Sequence, residues 1–330
     1  MRRSFTVRRF LEGVLCLASG LFPFPVLAKA GGPQTCGPGV ILKLSAPSSS
    51  QGSLLLLEVR SRKPLAEITA EWNSKNVPFW EIHGAGTDSS KISVTDLREA
   101  ILGVDLEKAP GTYPLLVHVQ VAGGKPEACT LQIPVHAGKF ATEKLQVGKE
   151  FIEPSPEQIQ RANEERDKLR AIFDQVTPEK LWDGDFRVPL DGVTSGGNFG
   201  KRRVLNGQPG SPHSGVDFPA LTGTPVHAAQ SGRVALAQEL FFPGNTVVVD
   251  HGLGIYTFYG HLSEIEVKAG DELQFGQVLG KVGATGRVTG PHLHWGLTVE
   301  RARVNPLHLV KLLGTTPESA TKPTAPKPKS

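Results

Sequence analysis

The chain has 330 residues, which is enough for two domains with connecting segments. Apolar residues make up 39% and charged residues 21%, which excludes a disordered chain and a coiled coil. The 37 glycines and 26 prolines, beside a single methionine, predict many turns and short strands rather than a helical bundle. Residues 1–30 account for the net charge of +4, so the remainder is nearly neutral and lacks the basic footprint of a nucleic-acid-binding protein.

The amino-terminal segment has the layout of a targeting signal. Basic residues are followed by an apolar stretch that Pro23 and Pro25 interrupt, and Ala28-Lys29-Ala30 fits a small-x-small cleavage site. This pattern predicts a bacterial signal peptide over residues 1–30, and hence a periplasmic, envelope or secreted protein without stable membrane insertion after cleavage. A short membrane anchor is the alternative, although Glu12 and the prolines leave fewer than the ~20 clean apolar residues that a span needs.

Two cysteines remain after removal of the signal, Cys36 and Cys129. In an oxidising compartment the simplest interpretation of an isolated pair is a disulfide, with two buried thiols as the alternative. Neither cysteine has a C-x-x-C partner, which excludes a cysteine zinc site and a thioredoxin-like redox site.

Residues 31–140 alternate short apolar runs with turn residues, which predicts an Ig-like antiparallel β-sandwich. No catalytic constellation is present in this half, which suits a spacer, a binding module or an inhibitory cover. An envelope regulator is a candidate partner of the protein. The predicted strands are Gly39–Leu44, Ser53–Val59, Leu65–Ile68, Val77–Trp80, Tyr113–Val119 and Cys129–Ile133.

Residues 141–184 are predicted to be a linker containing one amphipathic helix. Ser155 as N-cap, Pro156 at the first helical position and Gln158 as the closing residue form a capping box. Thr177-Pro178 is the predicted end, and the charged face is expected to be solvated. The apolar face comprises Ile159, Ala162, Leu169, Ile172, Phe173 and Val176.

Residues 185–314 are again rich in β-strand signals, and residues 315–330 are predicted to be a disordered tail. Gly223–Val226 leading to Gly232–Val234 resembles Gly270–Leu273 leading to Gly280–Val282, so two related hairpin units closing a compact sandwich or barrel are expected. The predicted strands include Thr246–Asp250, Ile255–Tyr259 and Glu264–Lys268.

Seven of the ten histidines fall between His213 and His308. His213 and Asp217 are four residues apart, so their side chains share one side of an extended segment. His292 and His294 project to one face of a strand while Leu293 and Trp295 point into the core, and His261 follows an apolar strand. Two imidazoles and a carboxylate with one position left over are the ligand set of a catalytic zinc site.

Several motifs together resemble the lysostaphin-type (LytM) zinc metallopeptidases, which cut peptidoglycan peptides. They are His213-Ser-Gly-Val-Asp217, Tyr259-Gly-His261-Leu-Ser263 and Thr285-Gly-Arg-Val-Thr-Gly-Pro-His292-Leu-His294, with supporting matches such as Asn198-Phe-Gly-Lys-Arg202. The resemblance covers about residues 185–310. It implies a mainly β domain of the duplicated hybrid motif type, preceded by a helical linker and an amino-terminal β module.

The resemblance implies one Zn²⁺ per chain, bound by His213, Asp217 and His294. It makes His261 and His292 the catalytic histidines, of which one takes a proton from a zinc-activated water and both can stabilise the oxyanion. The expected function is that of an exported zinc endopeptidase of peptidoglycan stem or crosslink peptides. The alternative is a catalytically silent wall-binding or amidase-activating module that retains zinc.

Three other histidines compete for a role in this half of the chain. His227 and His251 are interpreted as turn or supporting residues, and His308, which follows Asn305-Pro306, as structural. Tyr256 and Tyr259 could assist the oxyanion or line the groove, but tyrosines within strands more commonly contribute to packing.

Overall fold

The computed structural model describes residues 32–82, 94–145, 155–193 and 196–314. The predicted signal peptide (residues 1–30) and the predicted tail (residues 315–330) lie outside these ranges. The described residues form 22 strands and two helices, so the prediction of a mainly β protein is confirmed. Neither helix in the described ranges is long and apolar enough to cross a bilayer.

The amino-terminal half is a sandwich of two five-stranded sheets, with strand orders β1-β2-β4-β8-β7 and β3-β10-β9-β5-β6. Apolar residues of both sheets alternate inward and share one core, which confirms the predicted sandwich. The strands are β1 (Gln34–Thr35), β2 (Val40–Leu44), β3 (Ser49–Ser50), β4 (Leu54–Ser61), β5 (Leu65–Trp72), β6 (Lys75–Asn76), β7 (Trp80–Glu81), β8 (Asp96–Gly103), β9 (Gly111–Val121) and β10 (Glu127–His136).

Cys36 and Cys129 form a disulfide, as the simplest interpretation of the sequence predicted. Cys36 lies in the turn between β1 and β2 of one sheet and Cys129 in β10 of the other, so the bond joins the two layers. Because the two cysteines are 93 residues apart, the chain-entropy model assigns the crosslink about 4–5 kcal/mol of stabilisation.

Two strand predictions in this half were incomplete. The predicted run Val77–Trp80 contributes only Trp80 to a strand, and the sequence did not predict β8 at all. Asp96-Leu-Arg-Glu-Ala-Ile-Leu-Gly103 is rich in helix-forming residues, yet β8 pairs along its whole length with β4. Burial of Ala100 and Leu102 in the sandwich core, and of Ile101 against the carboxy-terminal half, overrides the local preference.

The linker helix, α1, spans Pro156–Phe173 and begins at the predicted capping box. Ser155 Oγ accepts from the Gln158 backbone N–H at 3.3 Å, and Gln158 Oε1 accepts from the Ser155 N–H at 2.9 Å. The predicted end at Thr177 was wrong, because Asp174 already forms the C-cap. The linker also contains a strand that was not predicted, β11 (Thr142–Leu145).

Helix α1 packs on the carboxy-terminal half through the second part of its predicted apolar face. Leu169, Ile172 and Phe173 contact a cluster of buried residues from the neighbouring sheet, whereas Ile159 and Val176 remain exposed. The sequence predicted that the charged face of α1 would be solvated, but one of its residues also contacts the sheet. Glu165 accepts a hydrogen bond from the backbone N–H of Phe241 at 2.7 Å and thereby attaches the helix to a turn of the sheet.

The carboxy-terminal half is built on a nine-stranded sheet, and a smaller sheet of order β11-β12-β13 adjoins it. The path of the large sheet is β14-β21-β18-β17-β16-β19, with β15, β20 and β22 attached beside it. The elements are β12 (Arg202–Leu205), β13 (Gln208–Pro209), β14 (Gly215–Pro219), β15 (Pro225–His227), β16 (Gly232–Leu240), β17 (Gly244–Asp250), β18 (Ile255–Ile265), β19 (Glu272–Leu273), β20 (Val278–Val282), β21 (His292–Val299), β22 (Ala302–Val304) and α2 (Pro306–Leu313).

Two segments of this half that resemble each other in sequence, residues 223–234 and 270–282, pair with each other in the structure. We call them the first and the second unit. Strand β15 of the first unit pairs with β20 of the second, and β16 of the first pairs with β19 of the second. The sequence echo therefore corresponds to two related units that pair with each other. The prediction that each unit is a hairpin was wrong, because the strands given for each unit pair with strands of the other unit. The prediction of a separate strand at Glu264–Lys268 was wrong, because β18 runs on without interruption to Ile265.

The two halves pack against each other at the end of β21 that lies away from His292. Leu54, Trp80 and Ile101 of the sandwich join the hydrophobic cluster of the carboxy-terminal half. Arg303 Nη2 contacts Asp105 Oδ1 at 2.8 Å, which adds an ion pair to this interface. The interface fixes the sandwich relative to the large sheet.

The buried residue His251 is part of this core. Its Nδ1 lies 2.7 Å from the Ser231 carbonyl oxygen and its Nε2 lies 2.7 Å from Thr257 Oγ1, so the neutral ring is fully hydrogen-bonded. Burial lowers the pKa of His251 to about 4, partly opposed by the bond to the Ser231 carbonyl. Between these two pKa values, His251 is neutral in the folded protein, whereas in the unfolded chain its ring binds a proton below the ordinary pKa of 6.5.

We expect stability to fall as the pH drops from 7 to 5, because the unfolded state binds the extra proton. For His251 this loss amounts to about 2 kcal/mol of unfolding free energy. Urea unfolding of wild type and His251→Asn at both pH values measures it. The variant should be less stable at pH 7 but lose about 2 kcal/mol less than wild type on acidification, and equal losses in both proteins would contradict the assignment.

Candidate metal centre

Three adjacent strands place the predicted site residues. In the antiparallel pairing of β14 with β21, Asp217 lies directly opposite His294 and Pro219 opposite His292. In the pairing of β18 with β21, Gly260 lies opposite His294 on the other side. Leu293 and Trp295 are buried, so His292 and His294 share the opposite face of β21, as the alternation predicted.

The structure brings His213, Asp217 and His294 to a common point. His213 Nε2 lies 2.9 Å from His294 Nδ1 and 3.1 Å from Asp217 Oδ1, and His294 Nδ1 lies 3.1 Å from the same oxygen. The side chains are 13–21% exposed, so the cluster is sheltered but reachable from solvent. Among the described residues, these three side chains form a group that could bind a metal ion.

The donor triangle fits a tetrahedral metal ion. Bonds of about 2.0–2.1 Å to nitrogen and oxygen place two ligand atoms of a tetrahedral zinc site about 3.3 Å apart. The observed edges of 2.9–3.1 Å differ from that spacing by only a few tenths of an ångström. Two imidazole nitrogens and a carboxylate oxygen also suit zinc chemically, and they occupy three of four tetrahedral positions.

Backbone contacts fix the orientation of His213. Its Nδ1 lies 3.0 Å from the carbonyl oxygen of Asn198, which can only accept, so Nδ1 carries the proton and Nε2 of the neutral ring presents a lone pair to the cluster. The side-chain amide of Asn198 donates to Asp217 Oδ2 at 3.3 Å. Asn198 thus contacts two of the three donor residues from outside the cluster.

Asp217 is ionised in this environment. Burial acts to raise its pKa, but the imidazoles of His213 and His294 at hydrogen-bond distance outweigh burial and hold the pKa well below its usual range. For His294, burial is the larger influence, and its pKa is lowered despite the neighbouring carboxylate. The cluster therefore offers one anionic oxygen and a nitrogen that favours its unprotonated form.

His261 and His292 lie beside the three donors. Their ring centroids are 4.8 Å apart, and the ring of His261 is 5.9 Å from that of His294. His292 Nε2 is 3.7 Å from Asp217 Oδ1. All five side chains named by the sequence therefore converge in one place.

His261 lies within β18, whereas the sequence placed it after a strand. Tyr259 and Leu262 are both buried, so two residues, Gly260 and His261, fall between successive core-facing positions. His261 has a φ of +63°, and the register shifts between Leu262 and Glu264. This bulge turns His261 away from the core and towards His292.

The two additional histidines are held in the same way as His213. His261 Nδ1 lies 2.9 Å from the Thr285 carbonyl oxygen, and His292 Nδ1 lies 2.9 Å from the Gly290 carbonyl oxygen. Each Nδ1 of the neutral ring is therefore the protonated nitrogen, and each Nε2 is available as an acceptor. Burial lowers the pKa of His261 to about 4, so its neutral form dominates at pH 7.

The remaining histidines of this half lie outside the cluster. His227 contacts the Gly276 carbonyl and Asp191, His251 is in the core, and His308 is in helix α2. The hydroxyl of Tyr256 donates to the Gln175 carbonyl, and that of Tyr259 accepts from the Ala229 N–H. These contacts agree with the supporting and packing roles predicted for these residues.

Two site residues received no role from the sequence. Asn198 appeared only within a matching motif, because a backbone carbonyl contact has no signature in the side-chain pattern. Gly215 lies directly against His294, where an added Cβ would come within 2.6 Å of both Cε1 and Nε2 of the ring. The glycine between His213 and Asp217 was the only available signal for this close approach.

The carboxy-terminal β domain thus contains a three-donor cluster that could hold a metal ion. Residues 211–306 match the sequence model of peptidase family M23. The matched part of the chain includes all five site residues.

Curated relatives are similar to part of the chain. The chain is 46% identical over 95 residues to peptidoglycan DD-endopeptidase ShyA of Vibrio cholerae, covering 29% of this chain and 22% of the relative. It is 41% identical over 122 residues to peptidoglycan DD-endopeptidase ShyC of the same organism, covering 36% and 28%. The matches thus span less than a third of either relative.

A solved structure extends the likeness beyond the family domain. A crystal structure of a candidate M23 peptidase from Pseudomonas aeruginosa superposes with a TM-score of 0.54 at 29% identity. The match covers 79% of this chain and 94% of that one, so it includes both β-rich halves.

We expect Gly215→Ala to weaken Zn²⁺ binding roughly 10–100-fold, because the added methyl group must displace the ring of His294. Competition with a fluorescent chelator measures the dissociation constant. Gly197→Ala is the matched control, since Gly197 pairs with Asp217 in the same region but has open space at its Cβ position. The explanation is wrong if the two variants bind Zn²⁺ equally well.

Proposed function

We propose that this chain is an exported zinc-dependent endopeptidase that hydrolyses peptide bonds in the stem or crosslink peptides of peptidoglycan. The observation that carries this proposal is the convergence of two histidines with free Nε2 atoms on a cluster of three metal donors. A metal site with a merely structural role would have no use for this additional pair.

His213, Asp217 and His294 are proposed to hold one Zn²⁺ per chain. When bound, zinc lowers the pKa of a coordinated water and polarises the substrate carbonyl group. Asp217 contributes the negative charge of the donor set, and Asn198 keeps Asp217 and His213 aligned.

His261 and His292 are proposed to perform the proton transfer and stabilise the transition state. A neutral imidazole accepts a proton at Nε2, and in its protonated form it donates from the same atom to a developing oxyanion. The Thr285 and Gly290 carbonyls hold both rings in the tautomer that this requires.

The proposed substrate class is supported by the relatives, which are described as peptidoglycan DD-endopeptidases. A DD-crosslink is therefore the bond to test first. Export is supported by the Cys36–Cys129 disulfide, because such bonds persist in oxidising compartments. We also propose that residues 31–140, 141–184 and 185–314 form the sandwich domain, the linker and the peptidase domain.

The principal test uses purified chain and crosslinked muropeptide dimers, with products identified by mass spectrometry. We expect cleavage that stops on chelation and returns with Zn²⁺. His261→Ala and His292→Ala should each lower kcat/KM about 100-fold or more while retaining one equivalent of zinc, because neither residue is among the three donors.

His227→Ala provides the matched control, since this partly exposed histidine lies outside the cluster. It should retain wild-type activity and zinc content. Absence of cleavage under metal-replete conditions would contradict the proposal. Full function after His292→Ala would instead favour the silent wall-binding or amidase-activating module.

A further inference from the structure

The amino-terminal sandwich contacts the segment that supports the metal centre. We call residues 196–213 the support segment, because they run from the neighbourhood of Asn198 to the donor His213. Phe199 of this segment places its ring directly on Gly52 of the sandwich, so closely that a Cβ at Gly52 would overlap the ring. Gly52 is buried and lies in the turn between β3 and β4.

Gly52 is itself held by both halves of the protein. Its N–H donates to the Val104 carbonyl at 2.9 Å within the sandwich, and its own carbonyl accepts from the Asn305 N–H at 2.9 Å. Asn305 is the N-cap of α2 in the carboxy-terminal half. The surface beneath the Phe199 ring is therefore anchored from two sides.

A second aromatic side chain confines the support segment from the direction of the linker. The ring of Phe140 lies over Gly200 and meets the ring of Phe199 edge-on, with centroids 6.1 Å apart. Immediately after Phe140, the Ala141 carbonyl accepts from the Arg202 N–H at 2.9 Å, and β11 then pairs with β12. The support segment is thus held by residues that precede the linker helix in the chain.

These contacts determine where Asn198 lies. Asn198 has a φ of +74°, a conformation that side-chain-bearing residues seldom adopt without support. Its carbonyl faces His213 Nδ1 and its amide donates to Asp217. Two backbone bonds bracket His213 in addition, from the Gly200 N–H to the His213 carbonyl and from the His213 N–H to the Lys201 carbonyl.

We infer that Phe199 is a positioning residue of the metal centre, and that the amino-terminal sandwich acts through it to orient His213 and Asp217. The sandwich is then a structural part of the metal site rather than a cover over it. The inference rests on the zinc site of the proposed function, which it deepens by assigning a role to the other half of the chain.

The test compares Zn²⁺ affinity and the Co²⁺ absorption spectrum of Phe199→Ala with those of wild type, in the full chain. We expect Zn²⁺ binding to be roughly 10–100-fold weaker and the visible Co²⁺ bands to change, because two donor residues lose their alignment. Phe275→Ala is the matched control: Phe275 is a partly exposed aromatic residue that stacks on Arg187 outside the site, and its loss should change neither measurement.

A double variant identifies the route of the effect. If Phe199 acts partly through the side-chain amide of Asn198, Phe199→Ala should weaken Zn²⁺ binding less in an Asn198→Gly background than in wild type. The part that remains in that background is then assigned to the Asn198 main-chain carbonyl, which glycine retains. Phe199→Leu should restore part of the affinity and also serves as the test variant if Phe199→Ala does not fold. Wild-type affinity and an unchanged Co²⁺ spectrum in the folded variant would overturn the inference, whereas failure of wild type to bind Zn²⁺ would overturn the proposed function itself.

Discussion

The pairing register of strand β21 is the constraint on which the site depends. Asp217 and Gly260 lie opposite His294 on its two sides. The pairing of Asp217 with His294 sets the distance between the carboxylate and the imidazole, and the pairing of Gly260 with His294 lets β18 lie close to the ring. A shift of one residue would turn His294 into the core and Trp295 towards the donors. The buried Leu293 and Trp295 oppose that shift, so the hydrophobic core fixes the geometry of the polar cluster.

His261 reaches the cluster only because β18 departs from regular alternation. The left-handed backbone of a non-glycine residue costs about 1–3 kcal/mol and persists where its surroundings over-determine it. Here the His261 N–H donates to the Pro243 carbonyl at 2.8 Å and the ring bonds to the Thr285 carbonyl. The turn that supplies Pro243 is in turn held by Glu165 of helix α1 through Phe241. The linker therefore supports the side of the site that contains His261, whereas the sandwich contacts the segment that leads to His213.

Local chemistry explains which features the sequence could predict. The capping box at Ser155 and the alternation around His292 depend on residue types at fixed spacing, and both agree with the structure. Strand β8 was not predicted because its helix-favouring composition is overridden by pairing with β4, which lies distant in sequence. The bulge at His261 and the contact of Asn198 with His213 depend on backbone geometry that no residue pattern records. The convergence of the donors was expected, whereas the elements that hold them in place were not.

Backbone carbonyls orient both the proposed metal ligand His213 and the proposed catalytic pair. The carbonyls of Asn198, Thr285 and Gly290 each face an Nδ1 atom, which leaves Nε2 directed at the cluster in the neutral ring. Each carbonyl oxygen is neutral, so it fixes the tautomer of the ring without placing a second carboxylate at the site. The arrangement therefore keeps His261 and His292 suited to accept a proton without adding negative charge beside Asp217. Because main-chain carbonyls orient the three rings, the orientation depends on the conformation of the loops that contain those carbonyls. The contacts that hold these loops therefore affect the position of the histidine side chains.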